Sequence, residues 1–163
     1  MHDAGILDDD TRMELIDGVL YDMSPPGPRH SRAVAILNEH FVVGVRGRFW
    51  VRVQDAILTP DEGWRSPDLL VIPREDGDQV ADRALLVVEV SSSSRARDVD
   101  KASVYAAVGV AEYWIVDVDR DEVLVHREPG DDGYASVECL APGDMLQPLI
   151  DIPPVDIAAL LAR

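Results

Sequence analysis

A single cysteine, Cys139, stands among 163 residues. One thiol cannot close an internal disulfide, and no zinc site built on paired cysteines can form. Histidine is scarce too. His2, His30, His40 and His126 show no close ligand spacing, which argues against a zinc enzyme. No apolar run reaches the length of a membrane span. The start, Met1-His2-Asp3-Ala4-Gly5, lacks the basic and apolar parts of a secretory signal. Together these absences point to the cytoplasm and to no membrane partner. Cations are the other shortage: 15 Lys and Arg face 31 Asp and Glu, a formal charge of -16. Proteins that grip phosphates carry a basic patch, so this balance argues against tight nonspecific binding of nucleic acid. It leaves room for a local basic cleft. The nearest groups are Arg46, Arg48 and Arg52, with Arg29 and Arg32 upstream, and Arg95 and Arg97 before Lys101.

Hydrophobic residues make up 47% of the chain, enough for a folded core. The length suits one domain, residues 1–163, and no internal repeat or long linker divides it. Asp17-Gly18 between Met13–Ile16 and Val19–Met23 signals a β-hairpin, because a tight turn there needs positive φ. Asp8 to Thr11 can cap a short turn before it, and residues 24–28 read as a loop. From Ser31 to Val45 the apolar residues Val34, Leu37, Phe41 and Val45 recur at helical spacing. Phe49 to Leu58 alternates as one strand, followed by a turn over residues 59–63. Asp68–Ile72 and Ala84–Val90 are apolar on both faces, as strands in the middle of a covered sheet are. A helix is expected from Asp98 to a stop at Gly109, then strands at Glu112–Val118, Val123–Arg127 and Tyr134–Leu140. Asp156 caps a last short helix. The class is α/β or α+β: a mixed central sheet flanked by helices, with an N-terminal hairpin.

Two acids stand at the ends of the apolar strands. Asp68 follows Pro67 where its strand begins, and Glu89 interrupts a run that is otherwise apolar. A glutamate so placed is rarely buried without a partner. A structural ion pair to Arg83 or Arg97 is one explanation of Glu89, and an Asx-type turn is one explanation of Asp68. A shared divalent metal is the other, and it accounts for both. Asp98, Lys101 and Tyr105, spaced by three and four, share one helical face. If that face looks back at Glu89, Lys101 reaches the acids; otherwise it is a surface lysine paired with Asp98. Ser91 to Ser94 carry no nucleophile motif, and no glycine-rich phosphate loop is present. Trp50, Trp64 and Trp114 are expected to fill core or interface.

The set Glu14-Leu15-Ile16-Asp17-Gly18, His30, Ser66-Pro67-Asp68, Val87-Val88-Glu89-Val90-Ser91, Asp98 with Lys101 and Tyr105, and Gly109 to Asp117 resembles a known layout. It is similar to the Uma-two-type family of restriction endonuclease-like proteins, within the PD-(D/E)XK nuclease superfamily. The resemblance implies a nuclease core with Asp68 and Glu89 as metal ligands and the carbonyl of Val90 as a third. Mg²⁺ is the implied cofactor, with Mn²⁺ as a substitute, and DNA the implied partner. The lysine of the simplest superfamily motif is replaced by Ser91, and Lys101 takes its place. Glu14 matches the family's N-terminal glutamate and is a further acid for the site; an exposed hairpin residue is the other reading. His30 is placed near the cleft, and Glu39 is a weaker candidate acid. The implied reaction is hydrolysis of a phosphodiester to leave a 5′-phosphate. RNA or a repair intermediate stays open as substrate. So does a nuclease-fold protein that works as an interaction module. A homodimer is expected, with Trp114 and the hairpin around Val123 and Leu124 as apolar surface.

Overall fold

The computed structural model describes residues 13–16, 19–22, 26–60, 63–76, 79–92 and 94–163. Strands β1 (Met13–Ile16) and β2 (Val19–Asp22) pair antiparallel, with Ile16 opposite Val19, as the Asp-Gly signal requires. The Asp17-Gly18 turn itself and the Asp8 to Thr11 cap lie outside the described residues, as do the side chains of both strands.

Helix α1 (Pro28–Val45) starts one turn before the expected Ser31, with Pro28 at its first position. Proline suits that position because its missing N–H would have no helical acceptor. The apolar stripe of α1 buries Ala33, Leu37, Phe41 and Val45. The expected single strand over 49–58 breaks in two. Strand β3 (Phe49–Val53) ends where Gln54 takes a left-handed φ of 51°, and β4 (Ile57–Leu58) folds against β5 (Trp64–Arg65). Period-two alternation runs unbroken through Gln54, so the pattern cannot show the backbone leaving the sheet there.

Next come β6 (Leu69–Pro73), a short 3₁₀ turn at Arg74–Asp76, β7 (Leu86–Ser91) and α2 (Arg95–Val108). Gly109 caps α2 with φ 80°, donating its N–H back to Ala106. Glycine takes that conformation without steric cost. Strands β8 (Glu112–Asp117), β9 (Glu122–Gly130) and β10 (Gly133–Leu140) follow. A two-residue pair, β11 (Met145–Leu146) with β12 (Val155–Asp156), precedes α3 (Ile157–Leu161). Asp156 caps α3 as expected, accepting from the Ala158 and Ala159 N–H groups.

One six-stranded sheet, in the order β10-β9-β8-β7-β6-β3, carries the molecule. Only β7 and β8 are parallel, and α2 supplies their connection. Side chains alternate across the sheet. Leu69, Val71, Leu86, Val88, Trp114 and Val116 face α1 and α3, packing on Leu37, Phe41, Ile157 and Leu160. Leu70, Ile72, Val87, Tyr113 and Ile115 face the other way, onto Tyr105 of α2.

The three tryptophans part company. Trp114 is 0% exposed, with its ring 5.6 Å from that of Phe41. Trp50 lies on the edge strand under the Arg74 guanidinium, 3.7 Å from its ring centre. Trp64 is 64% exposed, opposite Leu58 on the β4–β5 hairpin. Trp114 therefore cannot serve as the dimer surface expected of it. Val123 is also buried, in the core between the sheet and the α1 and α3 layer.

The first turn of α1 is tied to the far end of the chain. Arg29 donates to the carbonyls of Val118 and Leu161 and pairs with Asp121, and Arg32 donates to the carbonyl of Ala162. If the α1 layer holds the sheet by packing, Phe41→Ala costs about 3–5 kcal/mol, the usual loss for a buried aromatic. Urea denaturation should show a lower midpoint at unchanged slope. A midpoint within error of the parent would show that the Phe41–Trp114 contact contributes little.

Candidate active site

The register of the central strands sets Asp68 beside Glu89. Leu69 pairs with Val88 in the antiparallel β6–β7 ladder. One step further, Asp68 faces Glu89, with the alternation turning both toward α2. The Gln54 N–H donates to the Asp68 carbonyl, 3.1 Å, so the Asp68 main chain points toward β3. The Asp68–Glu89 pair is then of the type without mutual backbone bonds, where side chains stand closest, with Cα atoms about 4.5 Å apart. Pairing at the end of β6 leaves the Val90 N–H without a strand partner. It donates instead to Asp68 Oδ2, 2.8 Å, and the same oxygen meets His30 Nε2 at 3.1 Å. Asp68 is held from two elements, the β7 backbone and the first turn of α1. The Asx turn offered as its other reading is not its environment.

Glu89 is 6% exposed, and α2 supplies its partners. Lys101 Nζ lies 3.0 Å from Glu89 Oε1 and 3.1 Å from Asp98 Oδ1. The Tyr105 hydroxyl donates to the same Oε1, 2.9 Å. Asp98, 2% exposed, also accepts from Ser94 Oγ, 2.6 Å. The face formed by Asp98, Lys101 and Tyr105 thus looks back at Glu89. Arg83 does not supply the ion pair considered for Glu89; it sits on Asp76 and Glu75. Arg97 is not among the groups bonded to Glu89 here.

Glu14 lies on β1 opposite Tyr21, and its side chain is outside the described residues. Glu39 is exposed on α1, in a groove shared with His40, Val43 and Pro153. His126 is buried, packed between Tyr113 and Tyr134. Asp98, in the sequence a member of that α2 face and the surface partner of Lys101, is almost fully buried. The Tyr105 hydroxyl was legible in the three-and-four spacing that names its face.

Burial dominates the electrostatics of Glu89 and pushes its pKa up to about 7. Lys101 opposes the shift, and the Asp98 and Asp68 carboxylates add to it. Burial alone would lower Lys101, but Glu89 and Asp98 outweigh it and raise the ammonium's pKa. The Asp68 hydrogen bond raises His30 against its own burial. The Tyr105 hydroxyl, buried beside Glu89, is pushed up far enough to stay protonated. The cluster is a set of oxygen donors with one fixed ammonium. That chemistry fits a hard divalent cation, which takes one or two carboxylates and keeps several waters. Among the described residues no three His, Cys, Asp or Glu side chains form a ready-made metal cage.

With this geometry in place, known proteins supply a frame. The family model described as "Uma2: Putative restriction endonuclease" matches residues 3–159. A solved structure, titled as a putative nuclease belonging to DUF820 from Anabaena variabilis ATCC 29413, superposes with a TM-score of 0.76. That likeness covers 98% of this chain and 94% of the other at 15% identity, and shows a shared fold. No curated protein matches the chain.

The shift of Glu89 fixes the sign of a pH effect. Unfolded, the group ionises near its ordinary 4.5; folded, it keeps its proton to about 7. The native state binds the extra proton between those values, so Glu89 lowers stability as pH rises through that window. His30, also raised, contributes fully below 6.5 and loses that contribution as pH rises past its folded value. Glu89→Gln has no proton to lose. Without divalent metal it should match the parent at pH 5 and exceed it by about 1–3 kcal/mol at pH 8. Parallel stability profiles for the two would show that Glu89 titrates as an ordinary carboxylate.

Proposed function

The chain belongs to the Uma2 family, and from that membership and the Asp68–Glu89–Lys101 cluster we propose that it is a Mg²⁺-dependent endonuclease acting on DNA. One observation carries the reading: two carboxylates in register on neighbouring strands, with Lys101 3.0 Å from the buried one. Asp68 and Glu89 would hold Mg²⁺, or Mn²⁺ in its place. The Val90 carbonyl would be a third ligand, since it lies on the same side of β7 as the N–H that Asp68 engages. Bound there, the ion supplies Lewis acidity and a water of lowered pKa.

The remaining work falls to side chains. Tyr105 fixes the orientation of Glu89, and His30 with the Val90 N–H fixes Asp68. Lys101 sets a positive charge beside the carboxylates, where it can stabilise charge building on a phosphate oxygen. Glu89 must be ionised to act as a ligand, so metal affinity should weaken below about pH 7. By its match to the family's N-terminal glutamate, Glu14 would be a further acid.

The same reading makes residues 1–163 one nuclease domain, working in the cytoplasm. Among the described residues no helix is long and apolar enough to cross a membrane. Cutting both strands of a duplex calls for two sites, and a two-fold homodimer is the simplest arrangement. The charge of -16 favours a second reading, an interaction module on a nuclease fold, because it weakens any hold on DNA.

Titration with Mg²⁺ should show saturable binding and a rise in melting temperature, both lost in Asp68→Asn. Supercoiled plasmid at low salt should be nicked by the parent. Lys101→Ala should lower nicking by about 10²-fold or more while metal still binds. A parent that binds no metal and cuts nothing across Mg²⁺ and Mn²⁺ returns the chain to the second reading.

A further inference from the structure

Lys101 spans Glu89 and Asp98, and His30 meets Asp68. At the start of α2, Arg95 lies on Asp117 and Glu122, and Arg120 lies on Asp117. These cations are answered by acids of the chain itself, whose formal charge is -16. A nucleic-acid strand drawn to the carboxylates gains little from its phosphates. The hold that does not depend on charge is the face of a base laid on an aromatic ring.

The β4–β5 hairpin presents such a ring beside the acids. Its anchor is Ile57, buried in one cluster with Leu70 and Tyr105, and the Tyr105 hydroxyl donates to Glu89, 2.9 Å. The Leu58 N–H donates to the Ala81 carbonyl, 2.7 Å, which fixes the hairpin from its other side. Side chains alternate along a strand. With Ile57 turned in, Leu58 and its cross-strand partner Trp64 turn out, and both are exposed. Trp114 is core and Trp50 lies against Arg74, so Trp64 is the most open of the three tryptophans. Trp64 precedes Asp68 by four residues, with buried Pro67 between them. Fully extended, four residues reach about 14 Å, so the two Cα atoms stand no further apart than that. A stacked strand rises about 3.4 Å per nucleotide. A strand with its phosphodiester at Asp68 thus has a base within a few nucleotides of Trp64.

We infer that Trp64, with Leu58 beside it, is a stacking platform for an unpaired base of the strand held at the acids, and that the site takes single-stranded DNA. In a duplex the base faces are covered by their neighbours, whereas an unpaired base can lay its face on a ring. This rests on the nuclease reading and adds the class of its substrate.

The test is fluorescence anisotropy with a labelled single-stranded oligonucleotide and the matching duplex, in Ca²⁺ at several salt concentrations, beside cleavage of each in Mg²⁺. Trp64→Ala should weaken single-strand binding by about 5- to 100-fold, the usual loss for one stacked base. The slope of log affinity against log salt should not change, because no cation is removed. Trp64→Phe should keep part of the affinity. Trp64→Leu, apolar but without a flat face, should bind as weakly as Trp64→Ala, and Trp50→Ala should bind like the parent. Single strand should quench tryptophan emission in the parent and not in Trp64→Phe. The inference is overturned if Trp64→Ala or Trp64→Leu binds single strand like the parent, if duplex binding falls as far, or if the parent binds no single strand. A parent that cuts DNA but is indifferent to Trp64 sinks the platform alone. A parent that stacks the strand on Trp64 yet never cuts sinks the nuclease and keeps the platform.

Discussion

The burial of Glu89 is the constraint from which the site is built. A carboxylate in the middle of a covered sheet costs several kcal/mol unless its charge is removed or answered. Here both happen. The group holds its proton toward neutrality, and Lys101 and Tyr105 lie within hydrogen-bond reach of the same oxygen. That need explains why α2 carries charge on its inward face. Asp98 and Lys101 belong to the first turns of the helix and close over the end of β7, while Tyr105 and Ala106 below them return to apolar packing. One helix thus completes a core and a polar cluster in turn.

Asp68 is placed by a different device. The ladder between β6 and β7 ends, and the Val90 N–H takes a side chain where a backbone carbonyl would continue the sheet. On the β3 side the chain also leaves the sheet, at Gln54. The candidate site therefore sits where regular pairing stops on both flanks of one strand. Main-chain groups freed there by the end of the ladder become available to side chains and ligands.

Much of this was legible in the residues. The apolar runs of β6 and β7, the Asp17-Gly18 signal and the Gly109 stop each follow from local chemistry, and the structure places elements there. The face of Asp98, Lys101 and Tyr105 follows from helical spacing alone. What escaped were effects of distance. His30 is 38 residues from Asp68; the resemblance put it near the cleft, but nothing local to either residue names their contact. Trp114 reads as an exposed anchor only while the layer over its face of the sheet is unknown; covered by Phe41 and Leu37 of α1, it has no path to solvent. Gln54 escaped for the opposite reason, since the alternation there is regular and only the backbone angle departs from it.

The arginines of the first α1 turn carry one more consequence. Arg29 and Arg32 clasp the carbonyls of Leu161 and Ala162, and His30 sits between them on the same turn. The seat of an acid at the cleft is thus fastened to the last residues of α3 by two cationic tethers. A peptide fused directly behind Arg163 would tug on that turn, whereas a fusion set apart by a flexible spacer would leave it slack.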